Sequence, residues 1–319
     1  MSKNISVLLP VKNGEKYIND SLHNLLKTIG STDEILVIDD FSTDGTKNIV
    51  LTEINNDDRI RYIKNSKPEL VNALNLGISE SVNTWIARAD VDDKYEINRL
   101  SEQRKNILAN TVGIFTDYDF FSESHEYLGT IPSAIDANAV SVSLISSQRT
   151  AHSSILFNKE AVINAGGYRE IDFPAEDLSL WLRMSRLGDL ISIPKTLLHY
   201  RLSPGSITGT RRIEAKDMTT KLLTQIGINQ SNILGLIDNF ESVQQLYKQH
   251  KCASERELLI LRDLYFLSEN AHIDSKTRKL IYPLLIRFLP KHMFNISSLR
   301  GIKLFYKEQS MRNKVRNNG

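Results

Sequence analysis

An α/β fold with a mostly parallel, nucleotide-binding type of sheet and a C-terminal helical appendage is what this 319-residue sequence predicts. Short apolar runs alternate with helix-periodic segments, turn-forming residues close each run, and no strand pattern recurs beyond about residue 210. The run from Ile5 reads as a buried strand closed by Pro10 and the Lys12-Asn13-Gly14 turn. Tyr17, Ile18, Leu22, Leu25, Leu26 and Ile29 then recur at helical steps, and Glu34 to Asp39 is a second buried strand, which completes one βαβ unit. The pattern repeats: a helix from about 46 to 55, a strand at Arg59 to Ile63, a helix at Leu70 to Ser79 and a strand at Thr84 to Arg88. A helix at Arg99 to Ala109, strands at Val112 to Thr116 and Ser154 to Phe157, and a helix at Leu178 to Arg186 complete the same domain. Beyond it only helical periodicities remain, around 215–226, 232–248, 255–270 and 276–288.

The composition, 41% hydrophobic and 24% charged, is that of a chain with a real core, which excludes disordered and fibrous readings. Cys252 is the sole cysteine, so an internal disulfide and any cysteine-built metal centre are excluded, and a reducing compartment is expected. The opening apolar run is too short for a signal peptide, and no segment is long and apolar enough to span a bilayer, so the expected location is the cytoplasm. The formal net charge of +2 conceals an asymmetry: residues 276–319 hold 11 Lys and Arg against Glu308 alone.

In an open parallel sheet ligands bind beyond the carboxyl ends of the strands, where Pro10 to Asn13, Asp39-Asp40 and Asp90 to Asp93 all fall. Asp90, Asp92 and Asp93 repel one another unless a cation neutralises them, and in an extended loop Asp90 and Asp92 share a side. The competing reading is a solvated acidic turn capping a helix that starts near Tyr95. Asp40 can accept hydrogen bonds from a base or ribose, or cap the following turn; Asp33 and Glu34, at the other end of that strand, read as surface residues. Glu176 and Asp177 begin a helix, where the dipole favours acidic side chains; the alternative is a general base in a cleft, approached by the flexible Gly166-Gly167 backbone. His152 lies at the mouth of a strand, and the His199-Tyr200-Arg201 segment is a weaker signal still. No dinucleotide fingerprint, phosphate loop or serine elbow is present.

In their order and spacing these segments, with Leu74-Asn75-Leu76-Gly77, Arg99, Gln103 and Trp181-Leu182-Arg183, resemble the family 2 glycosyltransferases, inverting enzymes of the GT-A fold. The likeness covers about residues 3 to 205 and is nearest to bacterial members that build O-antigen, capsule and related surface polysaccharides. It implies a catalytic domain over 1–210 and a helical region over 211–319. It implies that Pro10 and Asn13 line the nucleotide, that Asp40 reads the uracil edge, and that Arg88, Asp90 and Asp93 lie near the nucleoside diphosphate and donor sugar. Asp92 corresponds to the metal ligand of the D-x-D motif for Mn or Mg, and Asp177 to the catalytic base. His152, Glu176 and Trp181 fall on the substrate side. Val91 and Ala89 depart from the usual Ala and Met without removing a ligand.

The resemblance further implies transfer of a hexosyl or N-acetylhexosaminyl unit from a UDP-sugar to a saccharide acceptor, and a lipid-linked acceptor would suit a basic tail that binds membrane. A sugar-nucleotide pyrophosphorylase is the rival enzyme, but its glycine-rich basic N-terminal loop is missing; a non-catalytic binding module is the other rival. Ile281, Leu284, Leu285, Phe288 and Leu289 with Lys279, Arg287 and Lys291 form a basic amphipathic stretch, suited to an anionic membrane surface at the inner face of the plasma membrane or to packing on the catalytic domain. Nucleic acid is not an expected partner, since the tail lacks interleaved aromatic residues.

Overall fold

A computed structural model describes residues 3–131, 144, 150–203 and 211–226. The chain divides into two compact units, one of Met1–Ser133 with Thr150–Ser203, the other of Ala134–Arg149 with Pro204–Gly319. In the second unit the described residues are Leu144, Arg211 and a helix at Arg212–Ile226, which matches the periodicity expected from 215. The further expected helices at 232–248, 255–270 and 276–288, and the basic tail, lie outside the described residues. No helix among the described residues is long and apolar enough to cross a membrane.

The first unit is an α/β layer structure around one mixed sheet. Its strands are β1 Ile5–Val11, β2 Glu34–Asp39, β3 Ile60–Lys64, β4 Trp85–Arg88, β5 Lys94–Tyr95, β6 Thr111–Ser122, β7 Tyr127–Ile131, β8 Leu156–Asn158 and β9 Asp189–Leu202. The helices are α1 Ile18–Leu26, α2 Thr46–Asn56, α3 Leu70–Glu80, α4 Arg99–Lys105, α5 Lys159–Asn164 and α6 Glu176–Met184. Among the described residues the order is β3-β2-β1-β4-β8-β6-β9-β5, with β7 on β6. β3, β2, β1 and β4 are parallel, β8 runs antiparallel between β4 and β6, and β6 is parallel to β9. Ile5, Leu8, Leu9, Ile35, Leu36, Val37 and Ile38 are completely buried, as continuous apolar runs in a parallel sheet covered on both faces must be.

Several differences from the expectation have local causes. β1 continues past Pro10 to Val11; Pro10 has no N–H, but pairing with β4 has already ended at Leu8 and Arg88. Asp33 and Glu34, read as surface residues, are buried. Asp33 accepts from the Ile5 and Gly30 N–H groups, both at 2.8 Å, and from Arg104 at 2.6 Å. Glu34 accepts from Ser6 Oγ at 2.5 Å, Val82 N at 2.9 Å and Arg61 Nη1 at 2.7 Å. These carboxylates satisfy groups at the edge where β1 and β2 begin, which is why they are buried.

Tyr95 lies in strand β5, so the acidic turn at 90–93 leads into a strand rather than capping a helix there. α4 stops at Lys105, short of Ala109, where the Leu108 N–H donates to Thr111 Oγ1. Residues 152–154 form a short 3-10 turn and the expected strand starts at Leu156. β6 runs to Ser122 because β9 supports it; the pairing jumps from Ile193 to Thr196, which steps over Pro194.

α3 crosses β1 and β2 closely enough that a Cβ on Gly77 would collide with Leu8 Cδ1 and come within 3.1 Å of Ile38 Cγ1. Gly77→Ala is therefore expected to destabilise the protein by about 1–3 kcal/mol through overpacking, outweighing the helix-propensity gain of about 1 kcal/mol. Urea denaturation measures the balance; a stabilised variant would contradict this packing.

Candidate active site

The carboxyl ends of β1, β2 and β4 converge through small and polar residues. A Cβ on Gly14 would collide with Val11 Cγ2 and lie 3.3 Å from Val91 Cγ2, so the loop after β1 abuts the loop after β4 directly. Asn13, at φ 53°, accepts from the Thr43 N–H at 2.8 Å and donates its own N–H to Ser42 Oγ at 2.9 Å, which ties the β1 loop to the β2 loop. Asp40 is buried; its Oδ1 accepts from Asn65 Nδ2 at 2.8 Å and Glu69 N at 3.1 Å, while Oδ2 faces Lys12 Nζ at 4.0 Å.

Arg88 ends β4 with only 2% of its surface exposed. Its Nη2 donates to Asp90 Oδ1 at 2.7 Å and its Nη1 to the Ala89 carbonyl, whereas Nε has no hydrogen-bond partner. The Asp90 N–H donates to the Tyr95 hydroxyl at 2.7 Å. Asp93 is buried and spends both oxygens on the protein, accepting from Ser153 Oγ at 2.6 Å and from Arg201 N at 2.9 Å. Asp92 is half-buried, and burial together with the neighbouring Asp90 carboxylate pushes its pKa up to about 6. The three carboxylates thus do not share one cation-like partner. Among the described residues no group of three or more His, Cys, Asp or Glu side chains is gathered to hold a metal.

Glu176 and Asp177 open α6. Burial, then the adjacent Asp177 carboxylate, raises Glu176 to about 8; burial also raises Asp177, opposed by the Leu178 N–H that its Oδ1 accepts at 2.6 Å. Both feel the Arg88 charge and the Asp90 carboxylate, so the fold brings the β4 loop and the start of α6 into one electrostatic field. His152 Nε2 and the Tyr168 hydroxyl are 2.7 Å apart, and burial and Arg88 hold the imidazole well below its usual pKa, hence neutral.

Trp181, which the resemblance placed on the substrate side, is fully buried; its ring meets Phe115, His152, Phe157 and Tyr168 at centroid distances of 5.7 to 6.3 Å. It sits behind His152 and Tyr168 as packing. Asn75 holds the Tyr168 backbone through its N–H at 3.0 Å and its carbonyl at 2.9 Å, next to Gly167 at φ 63°, where a side chain would press on Asn75. Arg183 Nη2 donates to the Gly167 carbonyl at 2.8 Å.

Residues 6–146 match the model of Glycosyl transferase family 2. An uncharacterized glycosyltransferase of Haemophilus influenzae is 26% identical over 95% of this chain and 95% of its own. The Escherichia coli UDP-Glc:alpha-D-GlcNAc-diphosphoundecaprenol beta-1,3-glucosyltransferase WfgD is 25% identical over 66% of this chain and 82% of its own. Among solved structures, S. aureus TarS 1-349 in complex with UDP-GlcNAc aligns over 90% of this chain and 89% of its own, with a TM-score of 0.58 and 13% identity. Mannosyltransferase PcManGT from Pyrobaculum calidifontis, with GDP-Man and Mn2+, aligns over 94% and 85%, with a TM-score of 0.56 and 14% identity. The likeness to these glycosyltransferases bears out the expected GT-A fold.

The Glu176 shift has a stability consequence. Its folded-state pKa of about 8 lies above the ordinary 4.5, so folding takes up a proton, and this contribution is present below about pH 4.5 and is lost as pH rises through about 8. Glu176→Gln should flatten the pH dependence of the urea midpoint across that window; a wild-type slope in the variant would show that Glu176 is not protonated in the folded protein.

Proposed function

We propose that this chain is an inverting, metal-dependent glycosyltransferase that moves a hexosyl or N-acetylhexosaminyl unit from a UDP-sugar to a lipid-linked saccharide acceptor in surface-polysaccharide synthesis. The observation that carries the reading is the shared field of Arg88, Asp90, Glu176 and Asp177, which joins a D-x-D loop to a buried carboxylate pair in a family 2 domain. WfgD supports a UDP-sugar donor and a diphosphoundecaprenol-linked acceptor, and TarS supports UDP.

The residues present suit a divalent cation held by few protein ligands. The Asp92 carboxylate takes a hydrogen bond from its own N–H, and its raised pKa reflects an unfavourable negative charge that a cation would offset. Mg and Mn sites of this kind use one or two carboxylates and take further oxygen ligands from substrate phosphates, so three gathered protein ligands are not required. Asp92 would hold the cation, with Asp90 turned towards Arg88 and Asp93 fixing the loop from beneath. When bound, Mn or Mg acts as a Lewis acid that offsets the charge developing on the departing diphosphate.

The chain's own groups divide the remaining work. Pro10, Asn13 and Asp40 line the nucleotide end. Glu176, near pKa 8, stays protonated at neutral pH, while the less strongly raised Asp177 supplies a carboxylate of enhanced basicity. The acceptor hydroxyl oxygen bonds to the anomeric carbon as its proton passes to Asp177, and the bond from that carbon to the UDP oxygen breaks on the opposite face. A single displacement converts an α-linked donor into a β-glycoside. His152 and Tyr168, a neutral hydrogen-bonded pair, border the acceptor side. The basic stretch after residue 276 brings the enzyme to anionic lipid at the inner membrane face.

Asp177→Asn should lower kcat by roughly 10²- to 10⁴-fold, the usual worth of a general base, with UDP affinity changed only slightly. Steady-state kinetics beside UDP calorimetry checks this; wild-type turnover would remove Asp177 from the role. Truncation at residue 276 should reduce co-sedimentation with anionic liposomes, and unchanged sedimentation would argue for a helix packed on the protein.

A further inference from the structure

We propose that Arg201, near the end of β9, is a positioning residue for the metal-binding loop, holding the Asp92 carbonyl with its guanidinium and the Asp93 carboxylate with its backbone N–H. The inference rests on the reading of Asp92 as the cation ligand and adds a residue to it. Asp92 has no other side chain donating to its carboxylate among the described residues, so the direction in which that carboxylate points depends on its backbone. Arg201 makes two of the contacts that hold this segment: its Nε donates to the Asp92 carbonyl at 2.8 Å, and its N–H donates to Asp93 Oδ1 at 2.9 Å, beside the bond from the Asp93 N–H to the Asp90 carbonyl at 3.4 Å.

Arg201 is itself held firmly. It is 6% exposed, and its guanidinium lies 4.9 Å from the Tyr17 ring centroid and 4.4 Å from that of Phe121. The Tyr17 hydroxyl donates to Glu123 at 3.0 Å, which fixes one ring from the end of β6. A flat cation between two aromatic faces has little rotational freedom, so its Nε–H is aimed in advance of ligand binding.

A guanidinium beside Asp92 is a positive charge near a cation site, so electrostatics alone would make Mn bind more tightly once it is removed. Loss of positioning makes Mn bind more weakly, by roughly tenfold or more if Arg201 behaves like other groups that orient metal ligands.

The experiment is calorimetric titration of Mn into the full-length protein saturated with UDP, for wild type, Arg201→Ala and Arg201→Lys, with circular dichroism to establish folding. The expected result is Mn affinity lowered about tenfold in Arg201→Ala and largely restored in Arg201→Lys, whose ammonium can still donate to the Asp92 carbonyl. Steady-state assays should show a higher half-saturating Mn concentration with kcat at saturating Mn less affected, whereas a purely structural role would lower the active fraction at unchanged Mn dependence. Unchanged or tighter Mn binding in folded Arg201→Ala overturns the proposal while leaving the Asp92 assignment standing. No Mn binding by UDP-loaded wild type overturns both. Should Arg201→Ala not fold, Tyr17→Leu, which removes one of the two rings, must weaken Mn binding in the same direction, and unchanged binding there counts against the proposal.

Discussion

Much of this site depends on a buried cation. Arg88 stands at the carboxyl end of β4 almost wholly shielded from water, and a guanidinium in that position is tolerated only if charges and acceptors are arranged around it. Asp90 supplies the direct ion pair at 2.7 Å. Asp177 supplies negative potential from another element, and Arg88 in turn favours the ionised forms of Glu176 and Asp177. Burial, reinforced by the same charge, holds His152 neutral. One residue therefore biases the ionisation of Asp92, His152, Glu176 and Asp177 together.

A second buried arginine sets the floor. Arg99 donates to the Arg88 carbonyl at 2.9 Å and stacks over Tyr95 at 4.5 Å, and its own neighbour Gln103 reaches the Ile114 and Ser154 carbonyls. Burial lowers Arg99 to about 10, the more so with Arg88 beside it. This network joins β4, β6 and the turn at 152–154 beneath the loop that carries Asp90 to Asp93. The three carboxylates, whose mutual repulsion looked in sequence like a demand for one cation, are thereby given separate surroundings: Asp90 has Arg88, Asp93 has Ser153 and the Arg201 N–H, and Asp92 has its own N–H.

The βαβ half of the domain was legible because parallel strands buried on both faces write continuous apolar runs, and those from Ile5, Glu34 and Trp85 stand within a residue or so of where they were expected. β9 was not legible. It contains Pro194 and Lys195, its partner β6 is far away in the chain, and its pairing jumps a register, so neither alternation nor length marked it. Arg201 was missed with it, since the signal at His199 to Arg201 is a bare charged tripeptide whose meaning comes from the backbone atoms it touches. Asp177 and Asp92 were legible as motif positions. That Trp181 would be packing rather than surface was written only in its spacing with Leu178 and Leu182 along one apolar helix face.

The most direct measurement is release of nucleoside diphosphate from a panel of nucleotide sugars with Mn, by purified full-length protein with and without a lipid-linked acceptor, run beside Asp92→Ala. The account predicts release from a UDP-sugar, dependent on acceptor and abolished in the variant. Metal-dependent UDP binding without release from any donor, with a competent acceptor present, would contradict it and leave a binding protein that has kept the site without the chemistry.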